Sequence, residues 1–200
     1  MLVLASQSPR RLALLRAAGF DPVVRVPDVD ETRREGEPPE TYARRLARAK
    51  AEAVDHSPDD VVVAADTVVV ADGQLLGKPV DATDACRMLR LLSGREHVVI
   101  TGVAIKHGAG LRDDAARTRV WFSELTDAEI AEYVASNEPM DKAGGYAIQG
   151  LASRFVARIE GCYFNVVGLP VPLVYSHLKQ LGLVEALSVA SRRSAPAARR

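Results

Sequence analysis

A single α/β domain is the architecture this sequence predicts, and three observations predict it. Two hundred residues with 48% hydrophobic content are enough for one sizeable core and do not demand a second. Short apolar runs rich in valine, which suit strands, alternate with segments whose apolar residues recur at helical spacing. Clusters of Gly, Pro, Asp and Ser separate the two kinds of segment.

Leu2 to Ala5 reads as a buried strand. Ser8 then serves as an N-cap, Pro9 suits the first helical position, and Leu12, Leu15 and Ala18 share a face before Gly19 stops the helix. "DPVVRVPDVDET" reads as a short strand and loop. The helix announced by Pro38 and Pro39 places Ala43, Leu46, Ala47, Lys50 and Val54 on one stripe, so Lys50 is a charge at the edge of the buried side. "DVVVAADTVVVADGQLLGKP" predicts two apolar strand runs interrupted by Asp66-Thr67, with Asp72-Gly73 as a hairpin turn. Residues 82–92 suit a helix closed by Gly94. "HVVITGVAIKHG" and "ARTRVWFSEL" read as strands joined by a turn at 108–110, and Thr126 with Glu129 forms a capping box opening a helix to about Val134. A polar, Gly-rich loop, "NEPMDKAGGYAIQG", leads to a strand in "SRFVARIEG" and a last helix from Pro170–Pro172 to Gly182. Beyond Gly182, residues 183–200 turn rich in Ala, Ser and Arg and are expected to form a disordered tail outside the domain of residues 1–182.

Composition excludes several classes. The 26 basic and 26 acidic residues balance, and only 5% are aromatic, so no basic surface or stacking platform for nucleic acid is expected. No apolar run approaches the roughly 20 residues that span a bilayer, and no secretory leader pattern opens the chain. Cys86 and Cys162 match no metal spacing, and reduced thiols in the cytoplasm are the simplest expectation. His56, His97, His107 and His177 are too scattered for a zinc site or a triad. Neither a nucleophile elbow nor a P-loop occurs.

The residues that stand out are charged residues in unfavourable places. Arg10 and Arg11 fall in the first turn of a helix, where the dipole disfavours cations, so an anion is expected to compensate them. Free helix N–H groups, Ser6, Ser8 and two guanidiniums at a strand's carboxyl end suit a phosphate; a solvated basic turn is the plainer alternative. Asp66 interrupts an otherwise buried strand and needs a cation, a proton or a donor. It reads either as a structural aspartate at a bulge or strand end, or as a metal ligand or base. Glu31 offers a second carboxylate, and oxygen ligands suggest Mg²⁺ or Mn²⁺. Lys78 precedes a proline that restricts its backbone. Asp141, Lys142 and Gln149 sit among glycines that let the backbone approach a ligand closely.

Taken together and in order, "SQSPRR", "DVDET", "AADTVV", "GKP", "SGREHVVITGV", "DKAGGYAIQG" and "NVVGLP" resemble the Maf family of nucleoside triphosphate pyrophosphatases over residues 2 to about 182. The resemblance implies an elongated mixed sheet flanked by helices, with a deep cleft between two lobes as in the inosine triphosphate pyrophosphatase group, and a homodimer. It implies hydrolysis between the α and β phosphates with a divalent cation. Ser8, Arg10, Arg11, Glu31, Lys50, Asp66, Lys78 and Gln149 occupy the family's functional positions, Asp66 that of the catalytic base. An aspartate of reference pKa near 3.9 is a poor base for bulk water, so Asp66 is expected to orient water activated by a metal that it holds with Glu31. Arg10, Arg11, Lys50 and Lys78 would hold the triphosphate, and Lys142 would also bind substrate. "PRR", "ADT" and "IQG", through Arg11, Thr67 and Gln149, resemble the pyrimidine subgroup, implying dTTP and UTP, with CTP and modified uridine triphosphates as extensions. The second glycine of "AGGYAIQG" and Cys162-Tyr163-Phe164 depart from the family pattern and leave substrate breadth open. A nucleotide-binding regulatory module of septum formation, with little turnover, is the competing class.

Overall fold

The computed structural model describes residues 1–188, and the rest of the expected tail lies outside the described residues. A mixed sheet of seven strands runs in the order β2-β1-β3-β5-β6-β7, with β4 added to β3. β1 (Leu2–Ala5) lies parallel to β2 (Val23–Arg25) and to β3 (Val61–Ala71). β4 (Gln74–Leu76), β5 (Glu96–His107), β6 (Gly110–Phe122) and β7 (Val156–Glu160) join through antiparallel pairings. The helices are α1 (Pro9–Ala17), α2 (Pro39–Ala53), α3 (Ala82–Leu92), α4 (Asp127–Ala135), α5 (Tyr163–Val167), α6 (Val171–Gln180) and α7 (Val184–Leu187).

β3 organises the molecule because both of its faces are covered, which is why it reads as a nearly continuous apolar run. Val62 and Ala64 pack on Ala47 and Ala51 of α2, and Val68 packs near Ala43. Val61, Val63 and Ala65 face Leu15 of α1 and Val174 and Leu178 of α6. Further along, Val69 enters a separate cluster with Leu89 and Leu92 of α3 and Ile130 and Tyr133 of α4. One strand therefore carries two packed regions, and Asp66 and Thr67 lie between them.

Several expectations need correction. β3 is not interrupted at Asp66-Thr67: its register with β5 runs unbroken from Val61 to Val70. A polar residue does not end a strand when the sheet satisfies it, and the Thr67 and Thr101 hydroxyls meet at 2.9 Å across the pair. Asp66 is accordingly neither at a bulge nor at a strand end. Ser8 stands at the N-cap position, but its hydroxyl makes no capping bond. Ala18 lies outside the helix and is exposed, while Phe20 beyond it is buried. "SRFVARIEG" begins as a 3₁₀ turn, Leu151–Phe155, and becomes strand only at Val156. Packing also runs past Gly182, since Leu187 is buried in the α1–α6 cluster and Ser188 bridges to Phe20. The hairpin turn at Asp72-Gly73 is as expected, with both residues at positive φ, as a two-residue turn of this twist requires.

His97 is buried beside Phe122 and Tyr146, with Nε2 at 2.8 Å from the Tyr146 hydroxyl. Burial holds its imidazole down at about 4. A free imidazole titrates near 6.5, so as pH falls the unfolded chain takes this proton first. Stability from this residue is complete above about pH 6.5 and is lost towards pH 4, by up to about 3 kcal/mol. Urea midpoints across that window are expected to fall more steeply for the wild type than for His97→Phe.

Candidate active site

The cleft opens where the sheet changes partners. β1 pairs with β3 only as far as Ala64, and β4 pairs from Val69, so the edge of β3 between them is uncovered. A cavity of about 650 Å³ sits against this gap, at the carboxyl end of β1. The β1–α1 loop, Glu31 and Lys50 approach from one lobe; Lys78, Lys142 and Gln149 approach from the other. All twelve residues singled out by sequence, including Ser6, Ser8, Arg10, Arg11, Asp66, Thr67 and Asp141, line this one cavity.

Asp66 points from β3 toward α2, the same side as its register partner Gly102 on β5. Lys50 comes down from α2 to meet it. The Lys50 Nζ lies 2.6 Å from Asp66 Oδ1 and 2.7 Å from Glu31 Oε1, so one ammonium gathers two carboxylates. Lys50 and Asp66 are each only 8% exposed, which puts Lys50 inside the buried face and not at its edge as the helical stripe suggests. Burial pushes the Glu31 carboxyl up, but Lys50, aided by Lys78 and Arg11, outweighs this and holds it below the ordinary range.

Gly102 makes this approach geometrically feasible. A Cβ there would lie within 2.6 Å of the Arg44 backbone nitrogen, so α2 rests its backbone directly on β5. Gly102→Ala is expected to push α2 outward, move Lys50 away from Asp66 and lower stability by about 2 kcal/mol. Thermal denaturation and turnover, measured together, should both fall.

Arg11 plays a different part from the one its position suggests. Its Nε donates to the Gly168 carbonyl at 2.8 Å, Nη1 to the Ala65 carbonyl at 2.7 Å and to Ser6 Oγ at 3.2 Å, and Nη2 to Thr67 Oγ1 at 3.1 Å. A guanidinium has five N–H donors, so one is left for a ligand. Arg11 fills the gap at the β3 edge where β1 stops pairing, and ties the β1–α1 loop to β3 and to the residue after α5. Burial lowers its pKa, with Asp66 and Glu31 opposing. The anion needed in the first turn therefore has Arg10 as its main arginine.

Arg10 donates to Asp141 Oδ2 at 2.7 Å, across the cleft mouth, and Lys142 pairs with the same carboxylate. Burial pushes Asp141 up, yet Lys142 and Arg10 prevail and hold it at about 2. Lys78 and Gln149 are exposed in the cavity and make no side-chain hydrogen bond among the described residues. With Arg10, Arg11, Lys50, Lys78 and Lys142 facing only Glu31, Asp66 and Asp141, the cleft is net positive. That suits a polyanion. None of the four histidines lines it.

Sequence reasoning missed Gly102, Tyr42, whose hydroxyl donates to the Glu31 carbonyl at 2.7 Å, and Gly168. A glycine inside a strand run is a sign of close backbone approach and could have exposed Gly102. Gly168 lies in the "NVVGLP" motif, but nothing local shows that its carbonyl accepts from Arg11.

Two carboxylates meeting at one point are a hard oxygen donor pair. No group of three or more His, Cys, Asp or Glu suited to a metal occurs among the described residues, so protein ligands alone would not complete a coordination shell. A pair of carboxylates completed by substrate phosphates and water is how Mg²⁺ is commonly held, so the residues fit that ion or Mn²⁺.

The family model described as "Maf-like protein" matches residues 1–181. A dTTP/UTP pyrophosphatase of Anaeromyxobacter dehalogenans is 52% identical over 185 residues, covering 90% of this chain and 94% of its own. Proteins of the same name from Koribacter versatilis and Geotalea uraniireducens are each 50% identical, covering 92% of this chain and 95% and 96% of theirs. The solved Staphylococcus aureus Ham1 protein is similar at 14% identity and a TM-score of 0.49, covering 90% of this chain and 98% of its own. A match along nearly the whole domain, with relatives identical at half their positions or more, means that this chain belongs to the Maf family.

Proposed function

We propose that this chain is a nucleoside triphosphate pyrophosphatase that hydrolyses dTTP and UTP to the nucleoside monophosphate and pyrophosphate. The relatives' shared name supports the substrate, and the observation that carries the chemistry is the net positive cleft built around two converging carboxylates. Phosphoryl-type transfer asks a protein chiefly for positioning and charge stabilisation, and this cleft offers both.

Asp66 and Glu31 would hold Mg²⁺ or Mn²⁺, which supplies charge neutralisation on the phosphates and lowers the pKa of water. Lys50, now shared between those carboxylates, keeps them from repelling each other and would turn toward the phosphates when a cation takes its place between them. Asp66, rigid in mid-strand, orients the attacking water. Lys78 is free to bind the departing pyrophosphate. Arg10 and Lys142 join it once the triphosphate displaces Asp141, since arginine favours bidentate phosphate contacts. Ser6 and Ser8 shape the β1–α1 loop: Ser6 Oγ accepts the Ser8 N–H at 3.1 Å as well as Arg11. Gln149 reads the base, because its amide complements the O4 acceptor and N3–H donor of uracil and thymine.

We assign the reaction to the cytoplasm; no helix of the described residues is long and apolar enough to cross a membrane. We also propose a homodimer, for which exposed Tyr163 and Phe164 supply apolar surface and β7 an outer strand edge with unpaired backbone groups.

A panel of dTTP, UTP, CTP, dCTP, GTP, ATP, ITP and 7-methyl-GTP, scored by pyrophosphate release, tests the substrate. Preference for dTTP and UTP is expected, with Gln149→Glu reducing kcat/KM for both by at least about tenfold. Purine turnover, or unchanged selectivity in the variant, would remove the base-reading role. Tight binding without turnover of any nucleotide would favour a regulatory module.

A further inference from the structure

Gln149 makes no side-chain hydrogen bond to the protein among the described residues, yet a base reader must be held still. Its backbone is held from both sides by one pair, the buried Tyr133 and the half-buried Glu138. Tyr133, on α4 and fully buried, donates its hydroxyl to Glu138 Oε1 at 2.9 Å and accepts the Ala147 N–H at 3.1 Å. Glu138 in turn accepts the Leu151 N–H on Oε2 at 3.1 Å and the Ala152 N–H on Oε1 at 3.4 Å. Ala147 before Gln149 and Leu151 and Ala152 after it are thus fastened to the same hydroxyl–carboxylate unit.

Gly150 shows how closely the loop is drawn in. A Cβ at that position would come within 2.6 Å of the Glu138 carboxyl carbon, so any larger residue would have to displace this carboxylate from the loop. Glu138 also reaches the phosphate side of the cleft, where its backbone carbonyl accepts from Lys142 Nζ at 2.7 Å. Neither Tyr133 nor Glu138 lines the cavity. Their hydrogen bonds are long-range in effect but local in sequence, joining the end of α4 to the loop that carries Gln149.

We infer that Tyr133 and Glu138 are positioning residues that set nucleobase selectivity by fixing the backbone on either side of Gln149. The inference rests on the base-reading role of Gln149. A hydroxyl and a carboxylate shared among three backbone N–H groups give the loop one geometry. Loosening it would let the whole Gln149 side chain shift relative to the base, so that the 4-amino group of cytosine is no longer rejected against the O4 of uracil.

The test is steady-state kinetics of Tyr133→Phe and Glu138→Gln with UTP and CTP, beside inhibition by inorganic tripolyphosphate, which carries the charges without a base. Tyr133→Phe keeps the ring and deletes only the hydroxyl. The expected result is a rise in KM for UTP of about tenfold, the worth of roughly one hydrogen bond, with kcat within about twofold. The UTP-to-CTP preference should shrink and the tripolyphosphate inhibition constant should stay unchanged. Glu138→Gln keeps one acceptor oxygen and should lose part of the preference, and it serves as the second variant if removal of the hydroxyl impairs folding. An unchanged UTP-to-CTP ratio in both variants overturns the inference, as does a tripolyphosphate constant that rises in step with KM. Gln149→Glu separates the two levels. If it alters the UTP-to-CTP ratio while Tyr133→Phe and Glu138→Gln do not, only the positioning role fails; if it too leaves the ratio unchanged, the base-reading role fails and takes the inference with it.

Discussion

Asp66→Asn is expected to lower kcat for dTTP by at least about 100-fold at saturating Mg²⁺ or Mn²⁺, the range seen when a positioned acid–base or water-orienting group is removed. The substitution keeps shape and removes charge. It takes away one of two converging carboxylates, so Glu31 alone would remain to hold a cation, and the attacking water would lose its acceptor. Folding should survive, because Lys50 retains Glu31 at 2.7 Å and is not left as an isolated buried charge. Losing a partner from a buried pair costs about 3–5 kcal/mol when nothing replaces it, and a smaller loss is expected here. Turnover and Tm of the same preparation check both statements. A variant that folds and still turns over dTTP at near the wild-type rate would remove Asp66 from the chemistry.

The second large effect is expected at Arg11, and mainly in stability. Arg11→Lys preserves the charge but replaces a planar fork by a single ammonium that cannot span the Ala65 and Gly168 carbonyls, Ser6 and Thr67 at once. At least two acceptors lose their partner, at about 1–3 kcal/mol each when buried. A loss of about 3 kcal/mol corresponds to a Tm lower by roughly 10 °C for a chain of this size. If Arg11 were chiefly a phosphate ligand, the lysine variant would keep its Tm and show its defect in KM alone. Differential scanning calorimetry beside kinetics separates these outcomes.

Much of the site was legible because its residues break local rules. Paired arginines at a helix start, a carboxylate inside a valine run and a lysine on a buried stripe each violate a preference that secondary structure alone would respect. Each conflict resolves in the same cavity. The order of strands and helices was legible from periodicity, as the stripe of α2 shows: Ala43, Leu46, Ala47 and Lys50 are all buried, as is Val54 just past the helix end.

What could not be read was how elements far apart in sequence satisfy one another. Asp66-Thr67 looked like a break because a hydropathy pattern does not register that Thr101, on the neighbouring strand, supplies the missing partner. Arg11 looked free because its acceptors, Ala65 and Gly168, are main-chain oxygens that any residue carries. Glu138 lies in a stretch that reads only as a polar, Gly-rich loop, since nothing local marks a carboxylate that will receive two backbone N–H groups. The short helix α5 escaped notice for a related reason: a single turn has too few residues to show a period.

The most direct measurement is the identity of the products formed from dTTP by the purified chain with Mg²⁺ or Mn²⁺, resolved by chromatography and phosphorus NMR. A pyrophosphatase acting between the α and β phosphates yields dTMP and pyrophosphate in equal amounts, and this is the predicted result. Formation of dTDP and orthophosphate, or recovery of dTTP unchanged from a folded protein that binds it, would contradict the account.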